Sequence, residues 1–386
     1  MLKELGKYTI RPRREIKEFL TTVTLYEVGL NMMNIFEPVY LYTLGVSLTG
    51  IVLFYLAVYL PYFLLLPVGG RVAKSFGFEH TMTIGLLFSV SYYLALIAIP
   101  AAPIFLYIAP LLYALQKAFW WPGYHANFAR YSRRRETGRE IGVVQVITNV
   151  TAAAGPLIGG LIVAVSNFTV LYTVVIIVTL LSAIPMFTTP ERFKPKDLRW
   201  LEQIRYIFSR TYRHNLVTAL GFGEELVAMT LWPIFIYLVV NSAFNLGALV
   251  ASATALTVLA TTIAARWSDE RRRAQVYRWG AVLNTLSWIG RPLLIMPLAI
   301  LGIDTVYRTS KSLIYVPMYS RVYDDAKENH VMLEVVAFEG TLVLGKIVML
   351  LILLVVVPWA GFVGAFVAAA VASLFYFAFR LNKPKA

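Results

Sequence analysis

Long apolar blocks recur along this chain, joined by connections that are alternately short and uncharged or rich in arginine. That alternation limits what the chain can fold into more than any other feature. Blocks such as 51–66 and 170–184 approach the ~18–20 residues that a helix needs to cross a hydrocarbon core. With 59% of its 386 residues hydrophobic and 15% charged, the chain lacks the polar coverage of a water-soluble globule. It is read as an all-α membrane protein of about twelve transmembrane helices. Spans are expected near 17–43, 47–70, 81–100, 103–129, 140–165, 168–188, 215–240, 245–266, 275–292, 296–321, 329–357 and 360–380.

Orientation follows from the connections. The odd ones carry almost no charge: Gly45-Val46, Ala101-Ala102, Ser166-Asn167, Asn241 to Phe244 and Pro358-Trp359. The even ones are basic, with Arg71 and Lys74, then Arg130 to Arg139, Arg192 to Arg213, and Arg266 to Arg273. Positive charge stays on the cytoplasmic side. Both termini are therefore expected in the cytoplasm, and the chain in the cytoplasmic membrane as a multi-pass protein. Arg291, beside Pro292 between the ninth and tenth spans, is the exception on the outer side. The net charge of +14 is spent in these clusters, which face anionic lipid, so no nucleic-acid partner is expected. The chain has no cysteine, which excludes disulfide and thiol chemistry. The polar start, 1–14, lacks the pattern of a cleavable signal.

The longest connection divides the chain into expected units of 1–188 and 215–386, with a linker of 189–214. Trp200, Ile204, Ile207 and Phe208 fall at helical spacing among arginines there, the pattern of an amphipathic helix on the inner leaflet. The halves resemble each other. The fourth span ends in Trp121-Pro122-Gly123-Tyr124 and the tenth in Val316-Pro317-Met318-Tyr319, each before a charged connection. A duplicated six-helix unit is common in secondary transporters.

Three segments carry a family resemblance. Gly70-Arg71-Val72-Ala73-Lys74-Ser75-Phe76-Gly77 resembles the gating loop of the major facilitator superfamily, with Lys74 where an acidic residue is usual; Asp269 to Arg273 is its counterpart in the second half. Trp120 to Tyr124, followed by Glu136-Thr137-Gly138-Arg139, is similar to the family's fourth-helix end. Gly155-Pro156-Leu157-Ile158-Gly159-Gly160 looks like the fifth-helix signature enriched in proton antiporters, with Thr151 replacing its opening glycine. The resemblance implies two pseudo-symmetric six-helix bundles around a central cavity. It also implies gating roles for Gly70, Arg71, Gly77, Asp269 and Arg271, and a fifth-helix motif of Gly155, Pro156, Gly159 and Gly160.

In that architecture helices one, four, seven and ten line the cavity, and the charges fall there. Charged groups at membrane depth cost several kcal/mol and need a reason. Helix one carries Glu27 and Glu37, helix four Lys117, helix seven Glu224 and Glu225, and helix ten Asp304, Arg308 and Lys311; Glu339 and Lys346 follow in helix eleven. Glu27, Asn31 and Asn34 share one helix face, as do Asp304, Arg308 and Lys311. Tyr113, Lys117, Trp120 and Tyr124 place a cation in an aromatic stripe. Bland readings compete: Asp304 and Arg308 as a structural pair, Glu339 and Lys346 as packing against helix ten, Trp120 and Trp232 as packing aromatics, His125 as an interfacial group.

These residues together predict transport of a small organic solute by alternating access, coupled to protons, with export by antiport favoured by the fifth-helix motif. Lipid or lysolipid transport, or a non-transporting receptor or scaffold, is the alternative. A membrane-embedded enzyme would need a larger outer loop. No nucleotide-binding run and no metal-ligand spacing is present, so no cofactor or metal is expected. The chain is expected to be a monomer in the lipid bilayer.

Overall fold

The computed structural model describes residues 14–131, 137–188, 200–209, 213–267, 273–328 and 331–379, all helix or short connection and without a strand. The expected gating residues Asp269 and Arg271 lie outside the described residues, as do 189–199 and 210–212 of the expected linker.

The first expected span is two helices rather than one, α1 (Arg14–Met33) and α2 (Phe36–Thr43). Pro38 has no N–H to offer the carbonyl of Asn34, so the ladder breaks there. Ser47 caps α3 (Leu48–Phe76), its hydroxyl accepting the Gly50 N–H at 3.1 Å. Gly77 alone separates α3 from α4 (Phe78–Ala98), at a φ of 109° that a side chain would strain. Gly70 and Arg71, expected in a loop, therefore sit in the last turns of α3. Gly70 is buried and Arg71 exposed.

The chain continues through α5 (Phe105–Tyr131), α6 (Thr137–Val165) and α7 (Phe168–Ala183). After α8 (Trp200–Ile207) come α9 (Arg213–Gly221), α10 (Gly223–Val240), α11 (Ala243–Trp267) and α12 (Arg273–Gly290). A 3-10 turn, Arg291–Leu293, leads to α13 (Pro297–Glu328), and α14 (Val331–Ser373) is broken into two limbs at Gly361, φ 52°.

Among the described residues six helical stretches are long and apolar enough to cross a membrane: Leu48–Phe76, Phe78–Ala98, Phe168–Phe187, Leu216–Val240, Ala243–Thr261 and Val336–Ala378. On α3, Leu53, Leu60 and Leu64 form an exposed stripe, while Tyr55, Tyr59, Tyr62 and Leu66 turn inward. An apolar stripe of this kind suits lipid. It also orients α3 so that its tyrosines reach the interior.

Helices before residue 188 pack mainly on one another: α3 and α4 on α5, and α1 on α6 and α7. Those after 213 do the same, with α11 and α12 on α13, and α9 and α10 on α14. The sets meet where α6 lies along α11 and α3 along α14, with α2 touching α10 and α5 touching α14. The fifth-helix motif explains part of this. A Cβ on Gly159 would fall on the Met32 carbonyl oxygen of α1, and one on Gly160 would lie 2.6 Å from the Ala243 carbonyl of α11. Small residues let helices approach to backbone contact. The expected amphipathic segment is present as α8, docked on α14 and α3 with Ile207 buried against Phe63, Ala337 and Leu344.

Candidate functional site

Position along α13 sets the second half of the site. Asp304, Arg308 and Lys311 share a face as their spacing predicts, but each finds a different neighbour. Lys311 Nζ donates to Glu224 Oε1 of α10 at 2.9 Å and to the Tyr376 hydroxyl at 2.8 Å. Glu224, fully buried, also accepts from the Tyr376 hydroxyl (2.8 Å), the Trp288 indole (2.8 Å) and Asn284 (3.5 Å). Charge-assisted bonds of this kind are worth about 1.5–3 kcal/mol each, and here they tie α10, α12, α13 and the 3-10 turn that follows α14, Leu374–Ala378, together.

Two turns away from Lys311, Asp304 accepts from Arg308 Nε at 2.7 Å and from the Trp232 indole at 2.9 Å, with Arg291 Nη2 at 3.5 Å. The structural pairing of Asp304 with Arg308 is thus present, and a second arginine shares it. Arg291, the charged exception among the expected outer connections, is fully buried by the 3-10 turn, its guanidinium carbon 3.7 Å from the centroid of Trp288, 4.2 Å from that of Trp232 and 4.4 Å from that of Tyr307. Its isolation among apolar neighbours was the available signal.

Between the halves, Glu225 takes Lys346 Nζ at 3.0 Å and lies 3.9 Å from Lys311. Lys346 Nζ is 5.5 Å from the centroid of the Tyr59 ring on α3, and Lys117 Nζ of α5 is 5.5 Å from the same ring and 4.2 Å from that of Tyr113. Among the described residues no carboxylate lies within ion-pair distance of Lys117. Tyr59 was not singled out from sequence, although the apolar face of α3 opposite it was readable.

Glu339 separates from Lys346. It accepts from the Tyr62 hydroxyl of α3 at 3.1 Å, and His125 Nε2 of α5 lies 2.9 Å from it. This contact therefore joins the two halves, where packing against helix ten had been the competing expectation. Removing the acceptor of the buried Tyr62 hydroxyl costs about 1–3 kcal/mol. Glu339→Ala is expected to loosen α14 from α3 here. A single cysteine at the buried position of Leu66, beside Gly340, should then gain at least about tenfold in reactivity toward a water-soluble maleimide. Unchanged reactivity would remove the contact from any closing role.

The remaining candidates divide. The Asn31 amide donates to Glu27 and to Thr151 of α6, both at 3.2 Å, while Asn34 makes no hydrogen bond with them. Trp120 is buried in the first half against Tyr26, ring centroids 4.0 Å apart, with Tyr124 beside it. The expected stripe therefore splits. Trp120 and Tyr124 pack with Tyr26 and Phe19, and Lys117 lies against Tyr59 and Tyr113.

The sequence model of the Major Facilitator Superfamily matches residues 19–223, more than half of the chain. No curated protein gives a significant match. The match covers the helices that present Glu27, Lys117 and the fifth-helix glycines, and members of the family are generally transporters rather than enzymes. With its membrane-crossing helices, the chain is a multi-pass membrane protein of the transporter class, and it belongs to the Major Facilitator Superfamily.

Proposed function

We propose that the protein is a secondary active transporter that moves a small organic solute by alternating access between two six-helix bundles, 1–188 and 215–386, joined by the linker 189–214. The observation that carries this reading is the charged junction at Tyr59, where Lys117 of one half and Lys346 of the other each lie 5.5 Å from one ring and Lys346 holds Glu225 at 3.0 Å. Charged side chains from α5, α10 and α14 converge there although each is costly to bury. A solute that binds both halves at once shifts the balance between conformations only through its different affinity for each.

Protons suit the coupling role. Glu27 is held by an amide and Glu37 by the Tyr55 hydroxyl at 2.7 Å, neither with a cation within ion-pair distance among the described residues. Carboxylates without a fixed counter-charge can take up and release protons as their surroundings change. Helix packing accounts for Gly155, Gly159 and Gly160, so these residues carry no argument for export over import.

Thermal stability in detergent, recorded against amino acids, short peptides, sugars, organic anions and lipophilic cations, tests the site. A ligand that binds the folded protein at 100 times its Kd stabilises it by about 2.7 kcal/mol. The expected result is a hit that is lost in the Lys117→Gln, Glu225→Gln, Arg308→Gln variant. A hit kept at full strength in that variant would place binding elsewhere.

A further inference from the structure

Two guanidinium groups share one carboxylate in the second half. Asp304 is held at 2.7 Å by Arg308, yet Arg291 stands 3.5 Å away with none of its three guanidinium nitrogens in a hydrogen bond among the described residues. Counting Asp304 against both arginines leaves an excess positive charge in the interior, which is costly there.

The three groups differ in access. Arg291 and Asp304 have side chains 0% and 1% exposed, whereas that of Arg308 is 29% exposed. Arg291 is also stabilised without an acceptor. Cation–π contact with Trp232, Trp288 and Tyr307 holds the charge, and a guanidinium stacked by its faces keeps the N–H fork along its edge free. A carboxylate that moved less than 1 Å would bring the 3.5 Å separation to the ~2.8 Å of a charge-assisted hydrogen bond.

We propose that Arg308 is the receptor for an anionic group, carboxylate or phosphate, on the transported solute, and that Arg291 is the positioning residue that takes Asp304 when the anion arrives. The incoming anion displaces Asp304 from Arg308. Asp304 closes on Arg291, and the interior charge is balanced in the bound state. The carboxylate thus acts as a resident competitor for its own site, and it shields Arg308 while the site is empty. This deepens the transport reading and rests on it, since it names the class of solute.

Benzoate and inorganic phosphate serve as probes, their binding measured on detergent-purified protein by titration calorimetry with thermal shift beside it. Asp304→Asn removes the competitor, so one of the two anions should bind at least about tenfold more tightly than to the wild type. Arg291→Met leaves Asp304 nowhere to go and should weaken binding about tenfold, and Arg308→Met should abolish it. Should Asp304→Asn strand Arg291 and fail to fold, the pair Arg291→Met, Asp304→Asn removes both charges together and should recover tight binding.

Whichever anion responds identifies the headgroup chemistry. Binding unchanged or weakened in both Asp304 variants would overturn the exchange, as would binding that survives Arg308→Met. Neither anion binding to the wild type or to the Asp304 variants would also overturn it. A merely structural Arg291 would lower stability without the recovery of affinity in the double variant. Because binding is read without flux, a protein that binds these anions but moves no solute would refute the transport reading, and with it the anion's assignment to a transported solute, whereas failure of the binding pattern would overturn the Asp304 exchange alone.

Discussion

Glu224→Ala is expected to lower stability by about 3–5 kcal/mol, because it removes the carboxylate that Lys311 holds at 2.9 Å and leaves the buried ammonium only Glu225, 3.9 Å away. The loss should be larger than the Lys311–Glu224 contact alone suggests. Tyr376, Trp288 and Asn284 all donate to the same two oxygens; Asn284 keeps Ser310, but the buried Tyr376 and Trp288 donors lose this acceptor together. Adding Lys311→Met should recover part of the loss by removing the stranded ammonium. Thermal or denaturant unfolding in detergent checks both variants. A single variant as stable as the wild type would show that Glu224 is no hub.

Gly159→Val is expected to exceed even that, above about 4 kcal/mol, a range reached by few point substitutions. The new Cβ falls on a backbone carbonyl of α1, and backbone cannot step aside as a side chain can. The expected outcome is loss of monodisperse folded protein on size-exclusion chromatography. Gly302 is the control, since a Cβ there meets nothing within 4 Å. Gly302→Ala should fold normally and gain up to about 1 kcal/mol from reduced freedom of the unfolded chain. Equal behaviour of the two variants would contradict the packing account of the fifth-helix glycines.

The readable parts of this molecule were those that depend on one helix at a time. Apolar blocks announced the helices, and 3.6-residue spacing put Asp304, Arg308 and Lys311 on one face, as α13 shows. Partners lay further off. Glu224 and Lys311 are 87 positions apart and Tyr62 and Glu339 are 277 apart, so pairing depends on how the helices stack, which spacing does not encode. That is why Lys346 and Glu339, two turns apart on one helix, serve different contacts. It is also why the aromatic stripe of α5 divides between two environments. The burial of Arg291 was not legible either, because its partners Trp232, Trp288 and Tyr307 come from three other places in the chain. Here three aromatic rings make the interior hospitable to it. The break at Asn34 was within reach, since Pro38 four residues later denies it a helical partner.

Solute counterflow in proteoliposomes tests alternating access through the charged junction. Vesicles loaded with the solute that stabilises the purified protein are diluted into a trace of the labelled compound. The account predicts transient accumulation of label by the wild type and none by the Lys117→Gln, Glu225→Gln, Arg308→Gln variant at equal folded protein. Accumulation by the variant at the wild-type rate, or its absence from the wild type with a solute that binds, would contradict it.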